Sequence, residues 1–241
     1  MKVGVSGAAG RMGLMTCEAV EAASDLELGG RYAPGHGYEA ADALADCAVV
    51  VEFGPSGASL DNVGRWHGFG CDVVVGSSGF DRRRLEELVQ MWGGGPGRCL
   101  VVPNFSLGAV LMMWLAEKAS PYFTAGELVE LHHDRKNDAP SGTALATAER
   151  MKPNGQRAVE SIESIPGARG AEVGGVWVHS VRLPGLLAHQ EVLLGNPGEL
   201  LSIRHDQSDR SAFVPGILLA IRSVSGQSEP VTIGIEGLLG L

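Results

Sequence analysis

The sequence predicts an α/β fold: a parallel sheet covered by helices on both faces, then an α+β domain built on a mixed or antiparallel sheet. Three observations predict it. Short apolar runs alternate with helix-length segments through roughly the first hundred residues, the pattern of strands buried on both faces. A glycine-rich turn separates the first apolar run from the first helical segment. Further on, strand-like runs follow one another with no helix between them.

Val3 and Val5 mark the first buried strand. The turn Gly7-Ala8-Ala9-Gly10-Arg11-Met12-Gly13 follows, then Met15, Glu18, Ala19, Glu21 and Ala23 at helical spacing. This G-x-x-G-x-x-G run is a variant of the dinucleotide fingerprint, whose usual first spacing is G-x-G. Glycine lets the backbone approach a pyrophosphate closely, and the helix N-terminus turns free N–H groups and a positive dipole end toward it. A purely structural βα turn is the plain alternative. The strand before and the helix after supply the context that a binding turn requires, and a Rossmann-type domain is expected.

The alternation continues. Leu26 to Tyr32, Cys47 to Phe53, Asp72 to Val75 and Cys99 to Val102 read as strands, with helices over Ser59 to His67 and Asp81 to Met91. The last three strands end in the turns Gly54-Pro55-Ser56, Gly76-Ser77-Ser78-Gly79 and Pro103-Asn104-Phe105-Ser106, all at the carboxyl edge of the sheet, where open α/β folds bind ligands. Near the C-terminus, Phe213 to Ser223 reads as an apolar helix and Val231 to Ile235 as a strand returning to this sheet. The dinucleotide-binding domain is therefore expected over 1–106 and 213–241, with a substrate domain over 107–212. Hinges near Ser106 and Ala212 would let closure exclude water from the reaction.

An NAD-selective fold commonly carries an acid at the end of its second strand, bonded to the ribose 2′-OH. Ala33 and Pro34 stand there instead. Arg31, two positions earlier, and Arg11, within the glycine turn, are each able to grip a 2′-phosphate; the bland alternative leaves Arg31 in solvent and Arg11 in structural bonds. The balance favours NADPH over NADH.

The most informative stretch is Glu130-Leu131-His132-His133-Asp134-Arg135-Lys136-Asn137-Asp138-Ala139-Pro140-Ser141-Gly142-Thr143-Ala144. It leaves an apolar strand end at Leu128 to Leu131 and enters a helix over Leu145 to Met151. Ser141 is an N-cap candidate, so the N–H groups of Gly142, Thr143 and Ala144 point outward toward any docked carboxylate. Histidine exchanges a proton near neutrality, and lysine supplies a cation or a proton. Adjacent histidines on extended backbone point in opposite directions, so one pocket takes one of them. That geometry, and the absence of an H-x-x-x-H pair or a nearby cysteine, also argues against zinc; no metal is expected. The segment suits an anionic substrate that gains a proton as hydride arrives.

The run from His132 to Ala144 resembles the signature H-H-x-x-K-x-D-A-P-S-G-T-A of the 4-hydroxy-tetrahydrodipicolinate (dihydrodipicolinate) reductase family, matching every fixed position. The opening glycine turn is similar to that family's G-A-x-G-R-M-G. Gly76 to Gly79, Pro103 to Ser106, Ser180 to Gly185, Ala188 to Glu191 and Ile203 to Asp206 extend the resemblance across the chain. It implies reduction of a cyclic imine dicarboxylate to tetrahydrodipicolinate in diaminopimelate and lysine biosynthesis. His132 is then the catalytic proton donor or acceptor and Lys136 a second proton donor. His133, Ser141, Gly142 and Thr143 contact the substrate. Gly7, Ala8, Ala9, Gly10, Arg11 and Met12 hold the pyrophosphate. Gly76, Ser77 and Ser78 line the nicotinamide end, with Val102, Pro103, Asn104 and Phe105 behind them. Ala33 departs from the acid that many members carry, which leaves cofactor choice to the reading above.

Beyond the motif, Val176 to Val181, His189 to Leu194 and Leu200 to His205 read as strands of an antiparallel sheet. The resemblance makes that sheet an oligomerisation surface of a homotetramer. Trp177 reads as core or interface, and His179, His189 and His205 as structural.

Composition narrows the classes further. A net charge of −9 argues against nucleic acid as a partner. No apolar run reaches the roughly 18 residues that a membrane helix needs, and the N-terminus enters a strand directly, without a secretory leader. Cys17, Cys47, Cys71 and Cys99 form no C-x-x-C pair and read as reduced, buried thiols of a cytoplasmic protein. Two other classes fit the glycine turn: a dehydrogenase acting on another amino or imino acid, and a dinucleotide sensor without turnover. Neither needs a proton donor beside an anion cradle.

Overall fold

The computed structural model describes residues 1–93, 95, 97–155 and 162–241. In chain order the strands are β1 (Lys2–Ser6), β2 (Glu27–Tyr32), β3 (Val49–Glu52), β4 (Asp72–Val75), β5 (Cys99–Val101), β6 (Ala125–His132), β7 (Ala171–Val173), β8 (Val176–Arg182), β9 (Ala188–Asn196), β10 (Glu199–Gln207) and β11 (Val231–Ile233). The α-helices are α1 (Arg11–Ala22), α2 (Ser59–Gly68), α3 (Arg82–Trp92), α4 (Leu107–Ala119), α5 (Gly142–Arg150) and α6 (Val214–Ser223). These residues group into two compact units, Met1–Leu107 with Ser211–Leu241, and Gly108–Arg210. Among them, no helix is long and apolar enough to cross a membrane.

The first unit is built on a six-stranded sheet in the order β11-β5-β4-β3-β1-β2, parallel throughout. The three valines of β3 and all three residues of β5 are buried, as apolar central strands require, and Glu52 at the end of β3 is buried with them. Trp66 and Leu88 from α2 and α3 pack on Val73, Val75 and Val101 in the main core. β1 lies between β2 and β3, so the chain reverses direction across the sheet there. The glycine turn leaves the carboxyl end of β1 at this switch point, where the crevice of an open α/β sheet forms.

The second unit carries a five-stranded sheet, β10-β9-β6-β8-β7. It is mixed rather than antiparallel, because β8 runs parallel to β6 while the other pairs are antiparallel. The chain between β6 and β8 contains α5, the kind of crossover that parallel neighbours need. Along β6, Gly126, Leu128 and Glu130 are buried in alternation with half-buried neighbours. Leu128 joins Ala144, Ala148 and Met151 in a core shared with Val176, Val178, Val192 and Leu194.

Boundaries shift where local chemistry intervenes. The last strand stops at Ile233 rather than Ile235, because Gly234 turns at φ +83° and its N–H donates to the carbonyl of Val101. The apolar helix starts at Val214, after a 3-10 turn over Arg210–Phe213. α4 has no counterpart in the periodicity: it is apolar nearly all round, so no stripe marks it, and Leu111 and Leu115 remain exposed. β7 is three residues long and escaped notice too, although Gly174-Gly175, both at positive φ, form the two-glycine hairpin that announces it. The polar region after Gly155 includes 156–161, which lie outside the described residues.

Candidate active site

In the first unit, backbone makes the cradle. Gly7 has φ +74°, and its N–H and that of Ala8 donate to the carbonyl of Tyr32 at 2.8 and 3.2 Å. A Cβ on Gly7 would overlap the main chain at Phe53, and one on Gly13 would overlap the carbonyl of Gly7. Gly10 is the N-cap of α1 and offers no side-chain cap, and no acid stands in the first turn. The first N–H groups of α1 therefore keep their donor capacity for an anion.

A cavity of about 650 Å³ opens over this turn. Of the residues expected to hold the cofactor, Gly7, Ala9, Gly10, Arg11, Met12, Gly76, Ser77 and Ser78 line it. Ala8 lies buried beneath the turn. Gly76 leaves room for the rings of Phe53 and Phe105, which a Cβ there would strike. Those rings meet edge-on, 5.6 Å apart, so Phe105 backs a lining residue without lining the cavity. Val102 is buried, Pro103 is exposed, and the side chain of Asn104 accepts from the N–H of Ser106; none of these three lines the cavity.

The two arginines part company. Arg11 lines the cavity, whereas Arg31 donates to Glu21 at 2.9 Å and to the Tyr38 hydroxyl at 3.4 Å and is not among the lining residues. The loop after β2 adds His36 to the wall, and the Glu39 carboxylate accepts from the N–H groups of Gly35 and Gly37 to hold that loop. No Asp or Glu is found among the described residues lining the cavity.

In the second unit the site is made of side chains. Strand alternation puts Glu130 and His132 on one face of β6, and the His132 Nδ1 lies 2.5 Å from the Glu130 carboxylate. Glu130 is fully buried and takes two further bonds from Arg182, at 2.8 and 2.9 Å, and one from the N–H of Ser141 at 3.2 Å. Burial pushes this carboxyl up, but hydrogen bonds from His132, Arg182 and Ser180 outweigh it and hold it at about 2. Arg182 also donates to the carbonyls of Lys136 and Asp138, so one guanidinium fixes both the buried carboxylate and the loop.

Within that loop the Lys136 ammonium lies 2.8 Å from both oxygens of Asp138, and this bond lowers the Asp138 carboxyl. Ser141 caps α5, its Oγ accepting from the N–H of Ala144 at 3.2 Å. The N–H groups of Gly142 and Thr143 thus stand at an open helix start, and nothing crowds Gly142. His133 lines a separate cavity with Arg135, His189 and the turn Pro184–Leu187, and its buried Nδ1 has no hydrogen-bond partner among the described residues. His189 is fixed by Asp206 at 2.7 Å, and burial lowers the pKa of His205. No cluster of three metal-ligating side chains occurs among the described residues.

Sequence reasoning passed over Glu130 and Arg182. Glu130 was legible: an acid two residues before a candidate histidine shares its face of a strand. Arg182 reaches the site through the β6–β8 register, which pairs it with His132 across fifty residues of chain and has no local signature.

A backbone cradle at the switch point of a parallel sheet in one unit, and a carboxylate-held imidazole on a lysine-bearing segment in the other, are features of a dinucleotide-dependent oxidoreductase. The comparisons with known proteins narrow this class. The model described as dihydrodipicolinate reductase, N-terminus, matches residues 1–105, and its C-terminus counterpart matches residues 108–239. The 4-hydroxy-tetrahydrodipicolinate reductase of Thermobifida fusca is 46% identical over 251 residues, covering 100% of both chains. That of Cutibacterium acnes is 47% identical over 250 residues, covering 100% of this chain and 99% of its own. Among solved structures, dipicolinate-bound dihydrodipicolinate reductase from Paenisporosarcina sp. TG-14 matches with a TM-score of 0.89 at 30% identity, over 98% of each chain. A scyllo-inositol dehydrogenase from Lactobacillus casei, at 12% identity and a TM-score of 0.63, shares the fold alone. The chain belongs to the dihydrodipicolinate reductase family.

Proposed function

We propose that this protein reduces 4-hydroxy-tetrahydrodipicolinate, by way of dihydrodipicolinate, to tetrahydrodipicolinate in diaminopimelate and lysine biosynthesis. The observation that carries the reading is the His132–Glu130–Arg182 cluster beside Lys136 and the open start of α5. The glycine cradle fits a dinucleotide, since the space that side chains on Gly7 and Gly13 would need is taken by backbone. A nicotinamide dinucleotide, when bound, supplies the hydride. Everything else falls to the chain. Glu130 fixes the Nδ1 of His132, leaving Nε2 to take or give the proton. Lys136 turns from the exposed Asp138 carboxylate toward the substrate, as cation and second proton donor. The N–H groups of Gly142 and Thr143 and the hydroxyl of Ser141 or Thr143 receive a substrate carboxylate. His133, whose Nδ1 has no partner among the described residues, contacts the same substrate.

NADPH is the preferred cofactor, with NADH accepted. Arg11 lines the cavity, and among the described residues no carboxylate lines it to bond a ribose diol or repel a 2′-phosphate. Since Glu21 already engages Arg31, Arg11 rather than Arg31 carries the preference. The working form is a homotetramer, built on the face of the second sheet that carries the half-buried Val129, Leu131, Trp177 and Leu193. The cytoplasm suits its four free, buried thiols.

Substrate generated in place by a synthase from pyruvate and aspartate semialdehyde tests the reading. The expected result is synthase-dependent oxidation of both cofactors, NADPH at the lower KM, with the preference reduced in Arg11→Ala. Protein that binds NADPH yet never oxidises it under these conditions refutes the activity. Light scattering that returns a monomer removes the tetramer.

A further inference from the structure

Behind the cofactor cavity lies an acid that the mechanism above does not use. Glu52 ends β3, is 0% exposed, and is not itself a lining residue of the cofactor cavity. Both of its carboxyl oxygens act as acceptors. Oε1 receives the N–H of Gly54 at 2.7 Å and the Asn62 amide at 3.4 Å, and Oε2 receives the Trp66 indole N–H at 2.8 Å. Its backbone carbonyl accepts from the N–H of Gly76 at 2.9 Å and from the Ser77 hydroxyl at 3.2 Å. Ser77 Oγ also reaches the carbonyl of Gly54 at 3.0 Å. Gly54, Asn62, Gly76 and Ser77 all line the cavity.

We infer that Glu52 is a positioning residue for the cofactor: it fixes the βα turns after β3 and β4 as one wall of the dinucleotide site. The inference rests on the reading of that cavity as the dinucleotide site. The bonds are directional and of one kind. Every group that meets the carboxyl is an N–H donor, so a neutral isostere does not replace it. In Glu52→Gln the new NH2 faces either the N–H of Gly54 or that of Trp66, donor against donor, and one buried donor is left unsatisfied. Glycine at position 54 serves the same contact, since a Cβ there would overlap Glu52 Oε1. The substrate loop belongs to the other unit, so its affinity for substrate is not what Glu52 sets.

The test compares the wild type with Glu52→Gln and Trp66→Phe in the coupled assay, measuring KM for NADPH, KM for substrate and kcat separately. The expected result is a rise of about tenfold in the NADPH KM for Glu52→Gln, and a smaller rise, about threefold, for Trp66→Phe, as single buried bonds are worth. Substrate KM and kcat at saturating NADPH stay within about twofold. A merely structural role lowers the melting temperature and leaves the NADPH KM alone, and that result overturns the inference. If Glu52→Gln does not fold, Trp66→Phe decides by the same split. Wild-type protein that fails to bind NADPH overturns the cavity assignment and this inference together; normal wild-type binding with unchanged variants overturns this inference only.

Discussion

The candidate sites of the two units are made of different material. The turn from Gly7 to Gly13 works by what it lacks: two of its glycines hold space that main chain already fills, and a helix start is left uncapped. The segment from Glu130 to Thr143, with Arg182 of β8, works by what it carries: a fully buried carboxylate bonded to an imidazole and a guanidinium, and an ammonium paired with Asp138. The backbone part of the first site is broken by adding atoms, and Arg11 is left to set which cofactor it prefers. A side-chain site is broken by taking charge away, because each member leaves a buried partner unmatched.

The largest effect is therefore expected in the second unit. His132→Ala and Lys136→Ala should each lower turnover by at least about a hundredfold, the usual size for lost acid–base catalysis, while NADPH affinity stays near wild type. Single-turnover rates with bound NADPH separate the two quantities. Near wild-type rates in both variants would return the loop to a structural role and erase the contrast.

Next comes the reverse experiment in the first unit. Gly13→Ala adds one methyl group against the carbonyl of Gly7 and so shifts the turn. NADPH affinity should fall at least about tenfold, and thermal stability should fall with it, as overpacking costs roughly 1–3 kcal/mol. Titration calorimetry with NADPH reads the first and a thermal melt the second. An alanine variant with unchanged affinity would mean that the turn has slack the geometry does not show.

How much of this was legible follows the same division. Glycines in a strand–turn–helix context announce a backbone site in sequence order, and the apolar runs of β3, β4 and β5 fixed the parallel sheet around it. The loop too is continuous in sequence, so His132, Lys136 and Ser141 stood out together. What sequence order hides is contact across a sheet or beneath a turn. Arg182 meets Glu130 only through register, and Glu52 meets Asn62 and Trp66 only because α2 packs on the end of β3. Uniformly apolar α4 shows no stripe, and a mixed rather than antiparallel sheet depends on where the chain crosses after β6. Arg31 and Arg11 are equivalent in sequence as cations near the turn, and the structure separates them: Arg31 bonds Glu21 while Arg11 lines the cavity.

The smallest expected effect is a difference in acid slope, which reads the side-chain site through stability rather than through turnover. Glu130 is held at about 2 in the folded protein, below the 4.5 of an ordinary glutamate. A depressed carboxyl contributes stability that is fully present above about pH 4.5, where both states are ionised, and that drains as pH falls toward 2. Between these values the unfolded chain binds a proton that the folded chain refuses, so stability drops with acid. Glu130→Gln removes that proton uptake. The variant should be less stable than wild type at neutral pH, because Arg182 and His132 lose their buried partner, yet its melting temperature should fall less steeply across the acid window. Equal slopes in the two proteins would mean that the carboxylate network does not set the acid limit of the fold. The contrast between the two units would then rest on catalysis alone.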